Sequence, residues 1–173
     1  MKFQIEKAIE ILSQTPVTVK SLLGNLSDDW TINASDSENW SPFDIVGHLI
    51  HGEKTDWIPR AEIILAQGEI LTFEPFDRFA QFEKSKSKTL SELIETFAVS
   101  RTENLVILHE MNLTEEKLKL KGIHPELGEV TLEQLLATWT VHDLNHIKQL
   151  ATALARKYAE NVGVWKQYLS ILQ

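Results

Sequence analysis

Apolar residues recur along most of the chain at three- and four-residue spacing, the repeat that lays one apolar stripe along an α-helix. In "FQIEKAIEIL" (3–12) the stripe is Phe3, Ile5, Ala8, Ile9 and Leu12. Pro16 then either kinks this helix or restarts it with proline in the first turn, and Gly24-Asn25 reads as its stop. Residues 27–40 are polar and without period, a loop that ends at "WSPFDIVGHLIHGEKTDW". There Ser41 is an N-cap, Pro42 fits the first turn and Asp44 follows three after the cap, so a second helix runs from 42 into the high fifties. Pro59 kinks it or begins a new turn before the pattern ends at Gly68.

The stretch 69–88 is aromatic and irregular. Past it, "TLSELIETFAVSRTENLVIL" predicts a third helix capped at or next to Thr89. Residues 121–130 form a loop with room for a short extended pair, because Gly122, Pro125 and Gly128 interrupt any helix there. The fourth helix carries the clearest signals: Thr131 is its cap, Gln134 completes a capping box, and the period holds to about Tyr158. After Gly163, "VWKQYLSIL" predicts a short closing helix. Four long amphipathic helices predict an all-α protein, a four-helix bundle with a short C-terminal helix, forming a single domain over 1–173.

Composition narrows the chemistry. The chain has no cysteine, which excludes disulfides, thiolate metal sites and a cysteine nucleophile. Any metal is held by histidine or carboxylate, and any thiol arrives with a ligand. The net charge of −8 works against phosphate-neutralising contact with nucleic acid, and the short basic run "EKSKSK" at 83–88 reads as a solvated loop. No apolar run approaches the ~20 residues a membrane span needs, and the N-terminus has no secretory cleavage pattern. A cytoplasmic protein acting without nucleic acid or membrane is expected. No G-x-S-x-G elbow, P-loop, dinucleotide fingerprint or paired Glu-x-x-His motif occurs.

Attention therefore falls on "HDLNH", His142 to His146, within the fourth helix. At ~100° per residue the two imidazoles differ by only about 40° and can hold one ion. Thr138, Trp139, Asn145 and Gln149 share that face, while Asp143 lies about 100° off it. A catalytic ion in an open site wants a third protein ligand. His48, inside the apolar "DIVGHLI", is the strongest candidate and His51 its rival; as a plain core residue His48 would need one satisfied hydrogen bond. His109 ends the third helix, where a cation favours the dipole, and nothing in the spacing of His124 requires a role. Glu53 lies roughly 140° from His48 and is rejected as a ligand.

The segments "WSPFDIVGHLIHGEKTDWIPRAEIIL", "FEPFDRF", "HPELGEVTLEQLLATWTVHDLNHIKQLA" and "VGVWKQYLSIL" together resemble the DinB/YfiT-like superfamily. The resemblance spans about residues 3–172 and is closest from Gly122 onward. It implies a four-helix bundle in which His48, His142 and His146 surround one divalent ion, zinc or nickel first among candidates. It also implies a metal-dependent enzyme acting on a small molecule, as a hydrolase or as a thiol S-transferase with a low-molecular-weight thiol cosubstrate; the alternative is a non-catalytic, metal-binding stress-response protein. A homodimer is implied as well. On this reading Asn145 and Gln149 orient water or substrate, Trp139 walls the pocket, and Asp143 accepts a hydrogen bond from a histidine or backbone group behind the ligands. The "FEPFDRF" loop covers the mouth, with Arg78 expected to pair with Asp77 or Glu74, or else to meet an anionic group.

Overall fold

A computed structural model describes residues 2–32, 40–68 and 70–173. Its helices are α1 (Ile5–Leu23), α2 (Asp28–Thr31), α3 (Pro42–Thr55), α4 (Trp57–Ala66), α5 (Ala80–Ser85), α6 (Leu90–Glu110), α7 (Glu115–Leu118) and α8 (Leu132–Arg156). A hairpin of β1 (Lys121–His124) and β2 (Gly128–Thr131) precedes α8. The long helices pack as a four-helix bundle: α3 lies against α6 and α8, and α1 against α6 and α8. No helix is long and apolar enough to cross a membrane among the described residues.

Local sequence sets the helix starts. Ser41 with Asp44, Thr89 with Glu92 and Thr131 with Gln134 each close a capping box, in which side chain and backbone N–H groups are satisfied reciprocally. Pro16 does not break α1, which runs through it. The α3 helix ends at Asp56, whose backbone (φ −112°, ψ −72°) turns the chain into α4, so Pro59 falls in a first turn, where its missing N–H costs no bond. The predicted loops contain the short helices α2 and α5, and part of the first, 33–39, lies outside the described residues. The closing segment is 3₁₀ rather than α, over Gly163–Tyr168 and Ser170–Leu172.

The extended pair is present, with Lys121 opposite Thr131 and His124 opposite Gly128. Residues 71–73 add to it, since Phe73 N–H donates to the Ile123 carbonyl and Ile123 N–H to that of Leu71, both at 2.9 Å. The hairpin is thereby fastened beside α4 and α8, where its turn flanks a cleft.

Two apolar clusters fill the bundle. One gathers Leu12, Trp57, Ile64, Leu108, Leu136 and Trp139. The other gathers Val19, Ile45, Leu49, Phe97 and Leu150. Along α3, α6 and α8 the residues that fall between the two sets include Glu53, Arg101, Asn104 and Asp143, all buried and polar. The bundle is thus apolar toward both ends and charged across its middle.

Candidate metal centre

The middle layer is held by one guanidinium. Arg101 reaches both oxygens of Asp143 at 2.6 and 3.0 Å, Glu53 at 2.8 Å and the Leu12 carbonyl at 2.7 Å. Glu53 also accepts from Trp139 Nε1 at 3.2 Å and from the Asn104 amide at 2.9 Å. Buried charges persist only when paired and hydrogen-bonded, and here each carboxylate has more than one donor. Four helices are tied to this point, which fixes the rotation of α8 relative to α3 and hence where their histidines aim.

Those histidines converge. His48 Nε2 on α3 lies 3.2 Å from His142 Nε2 on α8, and His146 Nε2 lies 3.0 Å from the same atom. All three ligand atoms fall within 4.8 Å of one another. Of the three, His48 and His146 are buried, while His142 keeps a partly open edge.

Their protonation suits a cation. Burial, then the neighbouring His146, His51 and Arg78, pushes His48 down to about 3. Burial, then His146, His48 and Arg101, pushes His142 down to about 2. His146 is lowered by burial as well, against the opposing pull of Gln149 and Asp143. All three rings are neutral near pH 7, and a neutral imidazole offers the lone pair that metal binding requires. Gln149 Oε1 accepts from His146 Nδ1–H at 2.6 Å, which leaves the lone pair of that ring on Nε2, facing its partners. Three nitrogens crowded so closely have protons enough for one another only in part, so the donor set fits a shared divalent ion.

Around the cluster stands an aromatic collar. Trp57 meets His142 with ring centroids 5.0 Å apart, Trp40 meets His48 at 5.0 Å, and Phe76 meets His48 edge-on at 5.4 Å. A cleft of about 760 Å³ opens beside them, with Thr138, Asn145, Gln149 and Thr152 of α8 along one wall and His124 and Leu127 of the hairpin along another.

The structure brings some of the expected residues together and sends others elsewhere. Asn145 and Gln149 line the cleft. Asp143 is fully buried with its carboxylate given over to Arg101, so its bond goes to a guanidinium rather than to a histidine or backbone group. Trp139, expected in the wall, is fully buried and stacks on Trp57 at 5.8 Å; Trp40, Trp57 and Phe76 form the wall instead. His51, one turn from His48, points to Lys84 Nζ at 3.2 Å and stays outside the cluster. His124 accepts the Glu126 and Leu127 N–H groups on Nδ1, at 3.1 and 3.2 Å, which sets its Nε2 as a donor. Arg78 pairs with no carboxylate among the described residues, and Asp77 instead accepts the Phe79 N–H at 3.0 Å.

A comparison with solved structures finds YfiT from Bacillus subtilis, described as a probable metal-dependent hydrolase with an unusual four-helix bundle topology. The two align with a TM-score of 0.76 and 23% identity, over 90% of this chain and 89% of that one, a likeness of fold. Among curated proteins nothing matches. The family model of the DinB superfamily matches residues 11–150, a stretch that includes α3, α6 and all three converging histidines, and the chain belongs to that superfamily.

Proposed function

We propose that this protein is a metal-dependent hydrolase of small molecules whose divalent ion is held by His48, His142 and His146. One observation carries the reading: three neutral imidazoles from two helices meet nitrogen to nitrogen at the floor of an open cleft. A divalent ion there supplies Lewis acidity, lowering the pKa of a water or thiol brought beside it toward neutrality.

The chain's own groups complete the site. Gln149 holds the His146 ring in one orientation, and Asn145 offers an amide to a substrate's polar groups. Trp40, Trp57 and Phe76 limit water around the histidines and give an apolar body something to pack on. Asp143 acts from behind, fixing α8 through Arg101. Zinc and nickel suit a set of imidazoles.

Thiol transfer is the second reading. It is favoured by the absence of cysteine, because no thiolate of the chain competes with an incoming thiol for the ion. In either case the proposed setting is the cytoplasm and the proposed assembly a homodimer. The charge of −8 supports work without nucleic acid.

Elemental analysis of untagged protein tests the metal: about one ion per chain is expected, falling to near zero in His142→Ala. A panel of esters, amides and electrophiles, each with and without added small thiols, then tests turnover. Retained metal with no turnover across the panel would leave a non-catalytic metal-binding protein in place of the enzyme.

A further inference from the structure

The cleft beside the histidines carries the opposite charge to the rest of the chain. Carboxylates outnumber lysines and arginines by 25 to 17 along the sequence. Among the described residues lining the cleft that ratio reverses, with Arg60, Arg78, Lys148 and Arg156 facing the single carboxylate of Asp56. That carboxylate is already matched, since Arg60 Nε lies 2.5 Å from its Oδ1. The rest of the Arg60 guanidinium sits over the Phe73 ring at 5.1 Å and donates to the Glu74 carbonyl at 3.3 Å, so Arg60 belongs to the wall. The cleft is left positive within an acidic protein.

Two of the cations lining the cleft, Arg78 and Lys148, come from different parts of the chain. Arg78 lies two residues after Phe76, the ring packed on His48, and its charge is felt by that imidazole. Lys148 stands on α8, two residues beyond His146. Both side chains are exposed at the mouth, and neither has a carboxylate partner among the described residues. Unmatched cations lining a concave, aromatic-walled surface attract anions and raise their local concentration. A guanidinium forks onto carboxylate or phosphate oxygens in two parallel hydrogen bonds, and an ammonium adds a point charge. The polar stripe of Thr138, Asn145 and Thr152 offers neutral partners to the remainder of such a molecule.

We infer that the cleft takes a small anionic substrate, one bearing a carboxylate or phosphate group. Arg78 and Lys148 hold that group while a neutral, reacting part of the same molecule lies against the histidine cluster. This deepens the metal-dependent reading and rests on it for the reacting part alone. The preference for negative charge comes from the cleft and is independent of the ion.

The test is a titration of the full chain, both as purified and after stripping with a chelator, at constant ionic strength. The probes are succinate, inorganic phosphate and the neutral succinamide, followed by the fluorescence of Trp40 and Trp57 and by calorimetry. Saturable binding of succinate or phosphate is expected in both forms, about tenfold or more tighter than succinamide, as one charge-assisted contact supplies. The two anion arms show whether carboxylate or phosphate is preferred. In Arg78→Gln with Lys148→Gln the anions bind no better than succinamide, with unchanged circular dichroism and Tm because both side chains are exposed. Equal binding of succinate, phosphate and succinamide by the wild type, or an undiminished anion preference in the double variant, overturns the inference. His142→Ala separates the two readings: an anion preference kept by protein that holds no ion sustains the inference whatever becomes of the metal, and its absence in ion-loaded wild type refutes the inference while the metal stands.

Discussion

Arg101 donates to the carbonyl of Leu12 at 2.7 Å, and Leu12 lies four residues before Pro16. In an uninterrupted helix the N–H of residue 16 would bond to that carbonyl. Proline has no N–H to give, so α1 runs through Pro16 with an orphaned acceptor, and a guanidinium from α6 occupies it. Arg101→Met removes this donor and leaves Glu53 and Asp143 as buried carboxylates without their cation, at a cost of about 3–5 kcal/mol in urea unfolding. Pro16→Ala, which restores the backbone donor, should stabilise the Arg101→Met protein by about 1 kcal/mol more than it stabilises the wild type. A double-mutant cycle with no coupling would show that the two sites do not share the carbonyl.

Gln149 sets the tautomer of His146 through its 2.6 Å hydrogen bond to Nδ1. Gln149→Leu keeps the volume and removes the acceptor, so Nε2 is no longer pinned as the lone-pair nitrogen. Zinc affinity, measured by competition with a fluorescent chelator, should fall by about 10- to 100-fold, the usual toll of losing a partner behind a ligand. Gln149→Glu, a stronger acceptor, should hold affinity at or above that of the wild type. Affinities for Gln149→Leu within twofold of the wild type would remove Gln149 from the site.

Much of this was legible in the order of residues. Capping boxes at Ser41, Thr89 and Thr131 mark helix starts that the structure places within a residue of the prediction. The i, i+4 spacing of His142 and His146 puts both on one face, and periodicity puts His48 on an inward stripe. The ion-pair layer was missed, and its one signal is on α6, where Arg101 and Asn104 interrupt the buried stripe of Leu93, Ile94, Phe97 and Leu108. Helical spacing cannot say which partner meets such a residue, because partners come from other helices. For that reason Asp143 was expected behind a histidine when it belongs to Arg101. Trp139 shares a face with the histidines by angle, yet that face is wide, and one edge of it turns into the core.

Acid should act on the metal-free protein through the same histidines. His48 and His142 are held at about 3 and about 2, chiefly by burial, against an unfolded value of 6.5. Below 6.5 the unfolded chain therefore binds protons that the folded one refuses, and stability drops as pH falls. Their contribution is intact above pH 6.5 and is lost progressively on the way down toward pH 3. At pH 5 the penalty is roughly 2 kcal/mol for each ring. Urea midpoints of chelator-stripped protein should decline between pH 7 and 5, whereas His48→Gln with His142→Gln should give a flatter profile. Parallel profiles would assign the acid sensitivity to other groups.

The hairpin beside the cleft depends on a missing side chain. A Cβ on Gly122 would lie 2.8 Å from Ile64 Cγ1 and 2.8 Å from two atoms of the Phe73 ring, closer than packed carbons tolerate. Gly122→Ala must therefore displace β1 or turn the Phe73 ring. That ring is the platform under Arg60 at 5.1 Å and stands edge-on to His124 at 6.4 Å, and both of those residues line the cleft. Overpacking of this kind costs about 1–3 kcal/mol, or a Tm lowered by at least ~2 °C in a protein of this length. The His124 ring resonances should shift with it, since that ring stands edge-on to Phe73. Phe73→Leu in the same protein opens the space and should return part of the lost Tm. A Gly122→Ala protein that melts with the wild type and leaves His124 unmoved would mean that the strand is not wedged between Ile64 and Phe73.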